Sequence, residues 1–487
     1  MANQQLTREG DEFVVDRGSS SEAANLEGLF LEFGRKLLDA ARSDVAHRGM
    51  PKRAEHLFRF HQPKFIGPAA SGSTTSFGTV EKLDFIGLLF LNWQLWAAGE
   101  ANLCAQEHFE RGIRRDRKIF DETWQPITKP TFGKARNAFG EQLTYELYSA
   151  IVNLCERVQT LNPTEAQVRE AYQGLLEEWA SPTVVWGLWA PLVNFKCEHF
   201  PLRIAQNLEL AALTHEEKTK LWNPNGVAGP FAEPPGLDRA NMARAEFALR
   251  ATSTTGRDDA GFGQEFGKDV VRAVTALRLL GVGDVGAPVI LGVNNGLFER
   301  YASQYVFDGR SRTPGRIYEL RAADWDSVMN VYDALGVIEG RMQISLRRFN
   351  QAYGRQLGED SIIDLTIALE GCLLPETRDE LQYRLSMRGA ALVAGLRNPL
   401  ETQALLKTMY EVRSEIVHNG KLVADEGVRR KVERLGPVVA KDFLHACEDV
   451  VRDILRECVL RLAVGGTLRT LSEEIDTKVL SGLLPLA

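Results

Sequence analysis

An arginine and a histidine five positions apart, Arg413 and His418, are the residues of this sequence best suited to acid–base chemistry. Histidine can accept a proton from a ribose 2′-hydroxyl near neutral pH. The guanidinium group of arginine stays charged, so it can hold a phosphate and stabilise charge that develops on the phosphate oxygens. Such a pair could cleave RNA without a metal ion. We therefore take Arg413 and His418 as the candidate catalytic residues.

The spacing of the two residues constrains how they could act together. Five positions along an ideal helix rotate two side chains by about 140°, which puts them on different faces of one straight helix. Either the chain turns at His418, or a second subunit supplies the neighbouring groups and the site lies at a dimer seam. The structural alternative is that His418 caps the C-terminus of the helix beside a surface arginine.

Two other motifs contain residue types that can bind cofactors or metals. Gly281, Gly283 and Gly286 form a G-x-G-x-x-G string, but a predicted helix precedes it and a β-branched run follows, which is the reverse of a dinucleotide fold. We predict a plain helix-to-strand turn there. Cys197 and His199 lack a second pair of nearby ligands, so they predict no metal site. The sequence therefore predicts neither a cofactor nor a metal.

A basic group follows the Arg413 segment and could contact RNA phosphates. Its members are Arg429, Arg430, Lys431 and Arg434. With 58 basic and 65 acidic side chains the chain carries a net charge of -7, so any RNA contact must be local. We predict this group as an RNA-binding patch.

The elements that position these residues are predicted to be helices. Apolar residues recur at helical spacing through most of the last third of the chain, and Asn419-Gly420 is typical of a helix C-terminus. The predicted helical segments are residues 323–335, 339–355, 360–374, 378–396, 400–418 and 436–463.

Two stretches of this region carry a family resemblance. The run DSIIDLTIALEGCLLPETRDELQYRLSMRGAALVAG (residues 360–395) and the run LLKTMYEVRSEIVHNGK (residues 405–421) resemble the ApeA-like HEPN family in order, spacing and residue type. The resemblance covers about residues 320–465. It implies a helical bundle of the HEPN type, a family whose members typically dimerise and many of which are metal-independent endoribonucleases in antiviral defence or abortive infection.

The resemblance also implies roles for individual residues. The R-x-x-x-x-H pair would be catalytic, Ser414 would be the polar residue that follows the arginine, and Glu370 would lie on a helix near the groove. Arg384 and Arg388 would pair with Glu370 or approach the phosphate, although an ordinary structural ion pair explains them equally well.

The function implied is cleavage of RNA, including tRNA, by a homodimer formed through the HEPN domain, with products that end in a 2′,3′-cyclic phosphate. The N-terminal region would sense a phage-derived trigger or select the substrate. The alternative is a non-catalytic module that binds nucleotide, RNA or a protein partner, since fold does not fix function.

The remaining features concern the whole chain. Its 487 residues, 44% hydrophobic and 25% charged, are typical of a folded globular protein. The polar start and the lack of an apolar run of about 20 residues lead us to expect a cytoplasmic protein with no membrane contact.

We expect a mainly α fold in which a C-terminal HEPN helical bundle is preceded by a small α/β element and a largely helical N-terminal region. The predicted divisions are a disordered tail (1–25), a mostly helical domain (26–222), a Pro/Gly-rich linker (223–268), a small α/β element (269–322), the helical bundle (323–465) and a C-terminal tail (466–487).

Overall fold

The computed structural model describes most of the second half of the chain and separate pieces of the first half. The described residues are 27–39 and 150–180 in part, 59–68 and 75–83 as backbone, and 183–217 (without 199, 215 and 216), 244–256, 263–294, 300–312, 315–375 and 380–480. The predicted tail at 1–25 and His199 lie outside them. Two compact units are formed, one by residues 1–187, 252–262 and 292–301, the other by residues 188–251, 263–291 and 302–487.

The first unit combines an antiparallel pair of strands with helical segments. Strands β1 (Arg59–Pro68) and β2 (Thr75–Leu83) pair with each other. Helix α1 (Glu165–Ala180) begins with a capping box, since the Gln167 backbone N–H donates to Thr164 Oγ1 and the Thr164 backbone N–H donates to Gln167 Oε1.

The second unit contains most of a six-stranded sheet of order β5-β6-β7-β3-β8-β9. Its strands are β3 (Thr183–Leu192), β5 (Leu202–Ala205), β6 (Leu208–Ala212), β7 (Phe247–Gly256), β8 (Val289–Asn294) and β9 (Arg300–Tyr305). The short strands β4 (Phe195–Cys197) and β10 (Tyr318–Leu320) pair separately and in parallel. Helix α2 (Gln264–Leu280) lies between β7 and β8 in the chain.

The sheet corrects two predictions made from the sequence. Helical structure was expected to continue to residue 222, but residues 183–212 form strands, and strand β7 occupies part of the segment expected to be a linker. Trp189 and Val193 belong to the buried core of the sheet. A short apolar run that is buried on both faces has no period that distinguishes a strand from a helix, which explains the first error. The predicted α/β element contributes strands to this same sheet.

The described residues from 325 to 480 are mainly helical, and the described chain as a whole is mainly α, as predicted. The helices are α3 (Trp325–Leu335), α4 (Arg341–Tyr353), α5 (Gly358–Leu373), α6 (Leu381–Leu392), α7 (Pro399–Asn419), α8 (Glu426–Glu433), α9 (Pro437–Lys441), α10 (Phe443–Ala463) and α11 (Leu468–Leu480). Helix α4 packs on α5, α6 on α7, and α5 on α10. Among the described helices none has the length and apolar character that a membrane span requires.

Helix α11 corrects the prediction of a C-terminal tail after residue 465. The glycines at 465 and 466 do end α10, but Thr467 and Thr470 exchange hydrogen bonds that start a new helix. Helix α11 packs on α6 and buries Leu471 and Ile475. The helical bundle therefore extends to at least Leu480.

Candidate functional site

Helix α7 carries both residues of the candidate catalytic pair. Its first turn is capped by the Asn398 side chain, which accepts hydrogen bonds from two backbone N–H groups, and Pro399 occupies the first helical position. Its end is set by Gly420, whose φ of 63° is the left-handed conformation favoured by glycine. The helix thus runs unbroken past His418.

Tyr410 lies next to both Arg413 and Glu370, at the point where the end of α5 faces α7. Burial raises the pKa of the Tyr410 hydroxyl, the Glu370 carboxylate raises it further by charge and hydrogen bonding, and the Arg413 guanidinium opposes both. All three side chains are half-buried. Arg413 Nε is buried and donates to no acceptor within the described chain. We call these three residues the Arg413 cluster.

His418 is exposed in the last turn of α7. In the part of the chain that the structure describes, its imidazole has neither a hydrogen-bond nor an ion-pair partner. The chain does not turn at His418, so one of the two ways to bring it to Arg413 is excluded. On this helix the two side chains point about 140° apart. The structure of one chain therefore does not bring the predicted catalytic pair together.

The other residues expected at the site divide into two groups. Ser414 is half-buried next to Arg413, and Glu370 belongs to the Arg413 cluster. Arg384 lies 3.9 Å from Glu380, the residue that immediately precedes its helix. Arg388 is buried and donates to both carboxylate oxygens of Asp476 (2.8 and 2.6 Å) and to the Leu373 carbonyl. Neither arginine pairs with Glu370, so Arg388 has a structural role.

The predicted RNA-binding patch on α8 is largely neutralised by acidic partners. Arg429 and Arg430 pair with glutamates one turn away on the same helix. Lys431 Nζ lies 2.7 Å from Glu415 Oε1 on α7. Arg434 is exposed just after α8. Helical i,i+4 pairs reduce the positive potential available to a phosphate, so this patch is weaker than its sequence suggests.

Glu415 connects the end of α7 to the chain that follows it. Its carboxylate accepts hydrogen bonds from Lys431 (2.7 Å), Lys421 (2.9 Å) and Asn419 (2.8 Å). These bonds lower the pKa of the Glu415 carboxyl from its ordinary value of 4.5 to about 2. The ionised carboxylate thereby holds the segment next to His418 against α8.

Replacing Glu415 by glutamine is expected to destabilise this junction in a pH-dependent way. Because folding lowers the pKa of Glu415, its stabilisation is fully present above about pH 4.5 and is lost as the pH falls towards about 2. Thermal melting should therefore show a lower Tm for Glu415→Gln at pH 7, with the difference shrinking in acid. Glu411→Gln, in the same helix, is the control. A difference in Tm between the wild type and Glu415→Gln that does not change with pH would contradict the role of the ionised carboxylate.

A second polar cluster, not predicted from the sequence, lies between a loop near the sheet and α10. Glu448 is fully buried and accepts hydrogen bonds from Arg312 and from Arg316, the latter at 3.0 Å. Asp284 lies 3.3 Å from Arg312 and accepts the Arg316 backbone N–H at 2.7 Å. Burial opposes the charge on Arg312, but the Glu448 and Asp284 carboxylates outweigh it and raise the pKa of the guanidinium.

Asp284, Glu448 and His445 place one potential metal-ligand atom each within 4.8 Å of one another, so they form a candidate metal site. However, every carboxylate oxygen of the two acids already lies within 3.3 Å of an arginine N–H donor or bonds to one. A cation would have to compete with two guanidinium groups. The cluster is therefore an ion-pair network that links α10 to the loops around it.

The glycine string at 281–286 is the helix-to-strand turn that was predicted, since α2 ends before it and β8 follows it. Close packing explains all three of its glycines, since a Cβ at Gly286 would lie 2.6 Å from the Ser311 side chain and the other two pack on Tyr318. A Cβ at Gly281 would lie 2.5 Å from the Tyr318 ring, and a Cβ at Gly283 would lie 2.6 Å from the Tyr318 backbone. Arg278, fully buried at the end of α2, donates to the Val285, Asp308 and Arg310 carbonyls and so fixes the turn.

Among known proteins, no family model matches this chain, and no curated protein and no solved structure matches it. The HEPN resemblance therefore rests on the two sequence runs quoted above and on the residues they contain.

Proposed function

We propose that the helical bundle is a metal-independent endoribonuclease of HEPN type. The observation that carries the proposal is the arrangement on α7, where an exposed histidine without a partner in the described chain follows a half-buried arginine next to Tyr410, the residue that also bonds to Glu370. His418 accepts the proton of a ribose 2′-hydroxyl, and the 2′-oxygen forms a bond to the adjacent phosphorus. The bond to the 5′-oxygen breaks, and that oxygen takes up a proton from solvent water. Arg413 stabilises the charge on the phosphate.

A second subunit completes the site in this proposal. The angle between the two side chains prevents them from converging within one helix, so Arg413 of one subunit acts with the partner's His418. Two exposed apolar side chains support an interface at this end of α7. Val417, next to His418, is 46% exposed, and Leu422, just after the helix, is 55% exposed. Apolar side chains clustered around a polar group are typical of a protein interface.

The wider role follows from the HEPN resemblance. We propose a cytoplasmic enzyme of anti-phage defence or abortive infection that cuts RNA, including tRNA. The N-terminal region would sense a phage-derived trigger or select the substrate. The chemistry at Arg413 and His418 does not depend on this role, so the two can be tested separately.

One observation favours the alternative function. Because the candidate pair is separated by about 140° in a single chain, the bundle could instead bind nucleotide, RNA or a protein partner without cleavage. In that case the only role of His418 would be to interact favourably with the negative, C-terminal end of the α7 helix dipole. The alternative predicts that no combination of subunits creates an active site.

Mixed dimers of two inactive variants test the shared site. Arg413→Ala and His418→Ala, coexpressed with different tags, should form heterodimers in which one of the two sites retains both catalytic residues. Half of the dimers are then mixed, and the expected cleavage is about a quarter of the wild-type rate. Each variant alone, at equal concentration, is the control. If the heterodimer isolated through both tags has no more activity than either variant alone, Arg413 and His418 do not act together across the subunit interface.

A further inference from the structure

One face of helix α4 carries an unusual concentration of positive charge. Residues 341–355 contain four arginines and no aspartate or glutamate. At 100° per residue the three arginines within α4 fall within a sector of about 120°, over a length of about 10 Å, and the fourth, Arg355, follows two residues after the helix ends. The chain as a whole has a net charge of -7, so this face departs from the average surface. We call Arg341, Arg347, Arg348 and Arg355 the α4 basic face.

Few acidic groups neutralise this face. Arg348 and Arg355 share one carboxylate, Asp364, at 3.0 and 2.7 Å, so the trio keeps one positive charge. Arg347 is exposed and has no ion-pair partner within the described residues. Arg341 donates to the Pro375 carbonyl, which does not cancel its charge. In contrast, three of the four basic residues predicted to bind RNA near α8 have acidic partners.

An exposed aromatic ring lies at one end of the α4 basic face. Phe307 is 69% exposed, and the Arg310 guanidinium carbon lies 5.3 Å from the centre of its ring. Arg310 lies against Gly354 at the end of α4, and Gln351 donates to Asp308 at 3.4 Å. An exposed ring next to cationic groups is suited to stacking on an unpaired base.

The other end of the α4 basic face lies near the Arg413 cluster. Arg341 donates to the carbonyl of Pro375, two residues after α5 ends. Ser345 Oγ lies 2.3 Å from the position that a Cβ on Gly371 would occupy, so α4 packs closely on the last turn of α5. Glu370, a member of the Arg413 cluster, is adjacent to that glycine. A nucleic-acid strand bound along α4 would therefore extend towards the Arg413 cluster.

We propose that the α4 basic face and Phe307 bind single-stranded RNA, the arginines contacting phosphates and the phenylalanine stacking on a base. This inference rests on the proposed function, because it names the surface that holds the RNA to be cut. It also replaces the α8 patch as the principal contact for RNA. The number of arginines predicts a binding affinity that depends strongly on salt.

The test measures RNA binding separately from cleavage. A fluorescein-labelled single-stranded oligouridylate is titrated with the full-length His418→Ala protein at several salt concentrations, and anisotropy reports binding. A variant of this protein that also carries Arg341→Gln, Arg347→Gln and Arg348→Gln should bind the RNA at least about tenfold more weakly. The slope of log Kd against log salt should fall by about 2. Phe307→Ala should weaken binding about fivefold or more with little change in slope.

A charge-matched control removes three positive charges elsewhere, from Arg461, Arg469 and Lys478, whose partners are Glu473 and Glu474. It should bind like the parent. If circular dichroism shows that the triple variant on α4 is unfolded, Arg347→Gln alone carries the test, with an expected slope change of about 0.7. Unchanged binding by the α4 variants, or an equal loss in the control, would overturn the inference.

The same measurements distinguish a failure of the proposed RNA-binding surface from a failure of the proposed enzymatic function. If the wild type cleaves RNA but binding does not depend on the α4 basic face, only the binding surface is wrong. If binding depends on that face but no cleavage occurs, the surface stands and the enzymatic role fails.

Discussion

Replacing His418 by alanine is expected to lower the rate of RNA cleavage by about 10²- to 10⁴-fold, the usual contribution of a general base. The imidazole is exposed in the last turn of α7, where it can reach a bound ribose. It is not part of a buried network, so the substitution should leave the fold intact. The rate is measured on a defined RNA with enzyme in excess, so that binding and cleavage are separated.

His445→Ala provides a matched control for that result. His445 belongs to the same helical bundle, is half-buried and pairs with Asp442 through Nδ1. It lies outside the proposed site, so its loss should leave cleavage unchanged. Equal rates for the wild type and His418→Ala would show that His418 is not the base.

Removal of the Glu448 carboxylate is expected to cause the largest loss of stability. Glu448→Ala leaves Arg312, which is only 16% exposed, with the Asp284 carboxylate at 3.3 Å, and leaves Arg316, which is 25% exposed, with the longer contacts to Asp284 (3.8 Å) and Asp449 (3.7 Å). Breaking a buried ion pair by removing one partner costs about 3–5 kcal/mol, because the other charge stays out of water. Urea unfolding followed by circular dichroism should show this decrease in the free energy of unfolding.

The control for that prediction is Glu457→Ala, a half-buried glutamate in the same helix α10. Its loss should change the free energy of unfolding by much less than the loss of Glu448. A double substitution of Glu448 and Arg312 by apolar residues should recover part of the stability, because the uncompensated charge is removed as well. If Glu448→Ala unfolds at the same urea concentration as the wild type, the network does not stabilise the fold.

The helices of the second unit were predictable because their signals are local. Pro399 begins α7 and Gly420 ends it, and both act through the conformation of their own backbone. The strand β3 was not predictable in the same way. Its apolar residues are buried by strands that come from distant parts of the chain, and that burial is invisible in a short window of sequence.

In the candidate site, too, some residues could be identified from the sequence, whereas the partners of others appear only in the structure. Arg413, Glu370 and His418 were selected from their chemistry and from a resemblance, and the structure places both Glu370 and Arg413 next to Tyr410. The role of Arg388 depends on Asp476, which lies 88 positions away. Arg312 and Glu448 are 136 positions apart, so no spacing rule could have paired them. Partners that are remote in sequence are set by packing, and sequence patterns do not record them.

The most direct test of the central claim is incubation of total cellular RNA with the purified wild type and with His418→Ala, both in EDTA, followed by mapping of the fragment ends. The proposed mechanism predicts cutting by the wild type in EDTA, fragments that end in a 2′,3′-cyclic phosphate, and cutting by the variant that is slower by about 10²-fold or more. Equal cutting by both proteins, or fragments that end in a 3′-hydroxyl, would contradict it.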